Sequence, residues 1–177
     1  FHFINTTLAN PIMDVVSPGI TDLSKTVGFR FVLIPVIGLL LIWKWRWRGA
    51  CLFLGALAAV GLSDFVGNII KHLVERPRPF DSGISDIQRS GAGGYSFPSN
   101  HSVNMFAMAT YFSFFLRTPA WRFFLFGLAV LIAFTRVYNG VHFPTDVIAG
   151  GFLGALGGLS VANLVQILMK KSEATRE

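Results

Sequence analysis

Long apolar runs separated by a single extended polar stretch set the pattern of this chain. About 20 apolar residues cross a hydrocarbon layer, and on that rule the pattern predicts five spans, at about 29–47, 49–70, 101–117, 121–141 and 145–169. The last is uncharged from Val147 to Met169. The first has an uncharged centre from Phe31 to Trp43, extended by the run Trp43-Lys44-Trp45-Arg46-Trp47-Arg48, whose rings suit a membrane interface and whose cations can snorkel. Residues 1–28 mix Phe1, Phe3, Ile4, Leu8, Ile12, Val15 and Val16 with Asn5, Asn10 and Asp14, interrupted by Pro11 and Pro18. They predict short amphipathic helices lying on the membrane surface. Residues 72–100 are polar and rich in Pro and Gly, and a loop of that length in a compact protein is usually functional or disordered.

Composition agrees with the pattern. Of the 177 residues 53% are hydrophobic and 14% charged, which excludes intrinsic disorder and sets the chain apart from soluble domains. Single-cysteine usage (Cys51) excludes an internal disulfide framework and a cysteine-rich zinc site. The net charge of +6 would raise nucleic-acid binding in a soluble protein, but here the basic residues are scattered between apolar segments, so a membrane accounts for them and no nucleic-acid partner is expected. Lys44, Arg46, Arg48, Arg117, Arg122, Lys170, Lys171 and Arg176 fall in short loops and the tail on one side of the predicted topology. Lys25, Arg30, Lys71, Arg76, Arg78, Arg89 and Arg136 fall on the other, spread over far more polar sequence. The positive-inside rule puts the first group in the cytoplasm and the loop 72–100 outside.

Small residues recur every four positions in two spans: Gly55, Ala59, Ser63 and Gly67 in the second, and Gly150, Gly154 and Gly158 in the fifth. Such series let helix backbones approach closely within lipid. Asp64 stands inside the second span, two turns deeper than Lys71 on nearly the same face, as a functional acid or as a partner for a neighbouring helix. His2, His72 and the loop residues Glu75, Arg76, Asp81, Asp86 and Arg89 read most simply as interfacial or solvated groups, with headgroup contact as the alternative for the charged ones.

Chemistry gathers where the spans meet the outer loop. Lys71 ends the second span and Arg78-Pro79 follows after six residues; Pro98-Ser99-Asn100-His101 opens the third; Thr135-Arg136 closes the fourth, followed after five residues by His142 and after three more by Asp146. Lys71, Arg78 and Arg136 can neutralise a phosphate dianion, the arginines with bidentate contacts. Ser99 and the amides of Ser99, Asn100 and His101 lie at a helix N-terminus, which favours anions. His142 and Asp146, one helical turn apart, suit a nucleophilic imidazole whose tautomer is fixed by a carboxylate.

This three-part pattern resembles the signature of the type 2 phosphatidic acid phosphatase superfamily, KxxxxxxRP, PSGH and SRxxxxxHxxxD, which the vanadium haloperoxidases share. The chain departs from it at Asn100, where Gly is usual, and at Thr135, where Ser is usual. The resemblance implies an all-α integral membrane bundle of five transmembrane helices forming one domain over residues 1–177. It further implies a phosphohistidine formed on His142, a proton relay through His101, and no cofactor or metal. The expected substrate is a lipid phosphate of a bacterial inner membrane met from the periplasmic side, with lipid A 1-phosphate ahead of phosphatidylglycerophosphate and undecaprenyl pyrophosphate. A small anion channel or transporter is the rival of another class, and the membrane spans disfavour a haloperoxidase.

Overall fold

A computed structural model describes residues 1–23, 26–84 and 87–174, with the side chain of Arg30 also excluded. The expectations placed on Lys25, Asp86 and Arg176 therefore lie outside what is described. The fold is helical: α1 (Pro11–Leu23), α2 (Ile34–Val74), α3 (Asn100–Phe115), α4 (Pro119–Tyr138) and α5 (Pro144–Ala174), with π-helical turns at Phe3–Thr7 and Phe29–Leu33.

The two first predicted spans are the two arms of α2. At Arg46 the backbone leaves the helical region (φ 52°, ψ −126°) and the chain folds back on itself. A Cβ on Gly38 would lie 2.6 Å from the Phe53 ring, and one on Gly49 would collide with the Leu41 carbonyl, so Gly49 is required where the arms meet and Gly38 makes room for the Phe53 ring. The turn therefore falls inside the Trp43–Arg48 run, not after it. Among the described residues three helices are long and apolar enough to cross a membrane, Phe31–Val74, Pro119–Tyr138 and Pro144–Ala174. With 16 residues α3 is shorter than they are.

The glycine series of α5 positions the site. Gly150, Gly154 and Gly158 face Ser99, Val103 and Ala107, four residues apart on α3, and each would drive a Cβ into the facing carbonyl oxygen. Bare backbone against bare backbone sets the depth at which the start of α3 meets the start of α5. One turn further along the same seam Tyr111, Ala162 and Val165 join Ala56, Ala59 and Val161 in a core between α2, α3 and α5. Large side chains such as Leu54, Phe65, Phe123, Phe152 and Leu156 point outward, as lipid-facing positions do.

The N-terminal segment differs from the expected pair of proline-broken pieces. Pro11 is the first residue of α1, where its missing N–H is no loss, and Pro18 lies within the helix. Anchors on either side of Pro18 hold the helix to α4: Ser17 Oγ donates to Asn139 Oδ1 (2.7 Å) and the Thr21 and Thr135 hydroxyls pair at 2.8 Å. Ser17 and Thr21 are buried while Ile12 and Val15 are exposed, so the polar face of α1 turns toward the protein and its apolar face outward.

Candidate active site

The end of α2, the start of α3, the end of α4 and the start of α5 converge under the loop that joins α2 to α3. Glu75 closes α2 in the left-handed conformation (φ 50°), which turns the chain sharply back over the bundle. Lys71 Nζ then reaches up to the carbonyls of Tyr95 (3.0 Å) and Pro98 (2.7 Å), tying the far end of the loop to α2. Arg78 does the same from the loop itself, donating to Gly94 O and Gly93 O and, across the site, to Val141 O, each at 2.8 Å.

His142 is the hub of the site. It is 3% exposed, its Nε2 lies 3.3 Å from Arg78 Nη1, and its Nδ1 lies 3.5 Å from Asp146 Oδ2. A guanidinium can only donate, so Nε2 presents a lone pair and the ring proton belongs on Nδ1, facing the carboxylate. Burial pushes the imidazole pKa down to about 4, with the Arg78 and Arg136 charges acting in the same direction and the nearby Asp146 carboxylate opposing. The ring is held neutral. Burial and the absence of bulk water likewise lower Arg78, against the pull of Asp146 and Asp81.

Arg136, in the last turn of α4, is 2% exposed, and its Nε and Nη1 have no hydrogen-bond partner among the described residues. The same holds for the Ser99 hydroxyl at the N-cap of α3. Buried donors of this kind are expensive unless something accepts from them. These donors, on α4 and at the N-cap of α3, are suited to an oxyanion with several acceptor atoms.

One expectation for the start of α3 changes. The Ser99 amide is committed to the Asp146 carbonyl (3.1 Å), so it joins helix to helix and is not free to receive an anion. Asn100 turns its side chain to α2, where Nδ2 donates to Asn68 Oδ1 (2.8 Å), and Asn68 and Asn104 in turn donate to Asp64 (3.1 and 3.2 Å). Asp64 is thus a partner for neighbouring polar groups, and the Asn100 side chain belongs to that network. His101 follows as the second residue of α3, half-buried.

Residues read as solvated are not all so. Arg76 donates to Asp146 Oδ1 (2.8 Å) and Thr145 Oγ1 (2.7 Å) and stacks on the Phe143 ring at 4.0 Å. Ser96 Oγ donates to Asp146 Oδ2, which also accepts from the Phe143 amide at 2.8 Å. Arg89, 7% exposed, pairs with Asp14 (2.5 Å), donates to the carbonyls of Asn5 and Tyr138, and lies over the Tyr138 ring, fastening the loop to α1 and α4. The tandem Arg76-Pro77-Arg78-Pro79 was a signal that could have marked Arg76; Ser96 carried none. His2 and His72 are exposed and make edge contacts with the Phe1 and Tyr95 rings.

At one end the helical bundle buries two arginines, a histidine and the carboxylate beside it, groups suited to handling an anion. A profile of the PAP2 superfamily matches residues 52–170, and the chain belongs to that family. It is 36% identical over 132 residues to the undecaprenyl-diphosphatase of Sulfolobus acidocaldarius, covering 72% of this chain and 61% of that protein. It is also 36% identical over 121 residues to the lipid A 1-phosphatase of Rhizobium johnstonii, covering 66% of this chain and 47% of the relative. The chain thus spans about half to three fifths of these relatives. The crystal structure of Aquifex aeolicus LpxE superposes with a TM-score of 0.74 at 26% identity, covering 92% of each chain. Membrane-spanning helices and membership of this family make it a multi-pass membrane protein.

Proposed function

We propose that the chain is a membrane lipid phosphatase that hydrolyses a lipid phosphate monoester through a phosphohistidine on His142. The observation that carries this reading is the buried, neutral His142, its Nε2 lone pair beside Arg78 and its Nδ1 toward Asp146. Lys71, Arg78, Arg136 and Ser99 hold the phosphate. Nε2 attacks phosphorus as the P–O bond to the lipid alcohol breaks, and His101 delivers a proton to the departing oxygen. Asp146 stabilises the positive charge that grows on the imidazole. His101, now neutral, takes a proton from water, the resulting oxygen attacks phosphorus, and inorganic phosphate leaves with His142 restored.

The lipid class is supported by an apolar cavity of about 510 Å³ between α3, α4 and α5. Val137, Pro144 and Val147 line its upper end, each a neighbour of Arg136, His142 or Asp146, while Ala155 and Phe126 line its depth. From Pro144 to Ala155 is eleven residues, about 16 Å along the helix. That depth suits a hydrocarbon tail whose phosphate stays at the helix ends. Five crossings, counting both arms of α2 and α3, and an active site on the periplasmic side of a bacterial inner membrane complete the proposal.

Lipid A 1-phosphate is the leading substrate, in keeping with the Rhizobium relative and the likeness to LpxE. Undecaprenyl diphosphate, which the Sulfolobus relative's name points to, and phosphatidylglycerophosphate are the competitors. Phosphate release from the three lipids, compared as kcat/KM in mixed micelles, tests the choice. Preference for either competitor overturns the leading substrate, and turnover of none overturns the enzyme reading in favour of an anion channel.

A further inference from the structure

Arg76 lies outside the set of residues assigned above to phosphate or to catalysis, yet it makes the only ion pair of the buried Asp146 with a lysine or arginine among the described residues. Asp146 is fully buried, and a buried carboxylate is stable only when charged or polar donors surround it. Its two oxygens are gripped separately. Arg76 Nη1 holds Oδ1 at 2.8 Å, while Ser96 and the Phe143 amide hold Oδ2, the oxygen that faces His142. Arg76 and Ser96 are themselves joined, Ser96 N to Arg76 O at 2.7 Å, so one clip from the two ends of the outer loop closes on the carboxylate.

We propose that Arg76 is a positioning residue: its guanidinium is the dedicated counterion of Asp146, holding the carboxylate ionised and turned so that Oδ2 faces His142 Nδ1. This rests on the phosphohistidine reading. Other charges near Asp146 are Lys71 at the end of α2, Arg78 in the loop, His142 in the α4–α5 turn and, beyond His142, Arg136 on α4. From α3 it receives the Ser99 amide on its carbonyl. Lys71, Arg78 and Arg136 are the groups that a bound phosphate would engage. Once the dianion is present they are shared with it, and Arg76 alone still serves the carboxylate. The fork of Arg76 is braced for that work by Thr145 Oγ1 and the Phe143 ring, which a lysine ammonium could not satisfy together.

The test uses the full chain in detergent micelles with a soluble aryl phosphate. Arg76→Ala should lower kcat by about tenfold to a hundredfold, the usual effect of losing the partner that orients an active group. The acid limb of kcat should move up by about one pH unit as the carboxylate loses its counterion, while inhibition by vanadate stays within threefold, about 0.65 kcal/mol. Arg76 is one-third exposed, so added guanidinium ion can reach the site and should restore much of the lost kcat. Arg76→Lys should fall between the parent and Arg76→Ala. A kcat and pH profile unchanged in Arg76→Ala would overturn the proposal, as would vanadate inhibition lost in step with kcat, which would make Arg76 a phosphate ligand. Loss of kcat without guanidinium rescue, in a variant whose melting temperature has dropped, would assign it to loop structure only. His142→Ala separates the two levels: if it remains active the phosphohistidine reading fails, whereas a dead His142→Ala beside an unaffected Arg76→Ala sinks the inference alone.

Discussion

Arg78 Nη1 lies 3.3 Å from His142 Nε2, a cationic donor set directly against the nitrogen proposed to attack phosphorus. The contact does two things at once. It fixes the tautomer, since Nε2 must accept, and it opposes protonation of the ring, since a second positive charge there would face the first across a dry gap. The phosphate bound by Arg78 would then meet the nucleophile along the same line.

Acid should therefore destabilise the fold through His142 in a defined window. The folded pKa, about 4, lies below the ordinary 6.5, so between those values the unfolded chain binds a proton that the folded chain does not. Stability should fall as pH drops from about 6.5 toward 4, with no contribution from this group above 6.5. Melting temperatures of the parent and His142→Gln across that range check it. An equal slope in the two proteins would assign the acid sensitivity elsewhere.

A methyl group on Gly150 would sit 2.7 Å from the Ser99 carbonyl oxygen, and one on Gly154 would strike Val103 O. Neither obstacle is a flexible side chain. Gly150→Ala should lower stability by about 1–3 kcal/mol and reduce activity further, because the start of α3 moves away from Asp146. Gly61→Ala, in open space on α2, should be neutral or slightly stabilising. Equal effects of the two substitutions on melting temperature and turnover would show that the glycine series does not set the site's geometry.

What the sequence reveals of this molecule divides by the range of the interaction. The gathering of Lys71, Arg78, Ser99, Arg136, His142 and Asp146 is legible because helix ends fix their depth and motif spacing fixes their order. Partnerships across elements are not. Nothing local to Arg76 or Ser96 says that both will close on a carboxylate of α5. The inward polar face of α1 is equally hidden, because Ser17 and Thr21 are ordinary polar residues until Asn139 and Thr135 of the α4 end stand opposite. Thr135, where the family usually has Ser, thereby gains a hydroxyl partner. The turn between the first two spans is legible, but its place at Arg46 is not: a Trp and Arg run carries no Gly or Pro at the turn itself, and Gly49, which lets the arms meet, stands three residues on.

The proposed sidedness follows from charge. In a Cys51→Ser background, Asp81→Cys in the exposed outer loop should react with an impermeant thiol reagent in intact cells, and Thr118→Cys, between α3 and α4, should react only after lysis. Reversed labelling would place the site in the cytoplasm and remove the periplasmic part of the proposal.

The two histidines are separable by the step each serves. His142 forms the covalent bond, so His142→Ala should turn over no substrate, whatever the leaving group. His101 carries a proton out and back. With a lipid alcohol as leaving group its proton is needed in the first step, and His101→Ala should be nearly inactive. An aryl phosphate with a good leaving group departs unaided, and only hydrolysis of the phosphoenzyme then suffers, because the base that activates water is gone. His101→Ala should accordingly release a burst of aryl alcohol close to one equivalent per site and accumulate phosphate on a nitrogen, acid-labile and base-stable. Mapping that label by mass spectrometry to His142 is the decisive measurement. A label on another residue, or a His142→Ala variant that still turns over while His101→Ala shows no burst, would exchange or abolish the assigned roles.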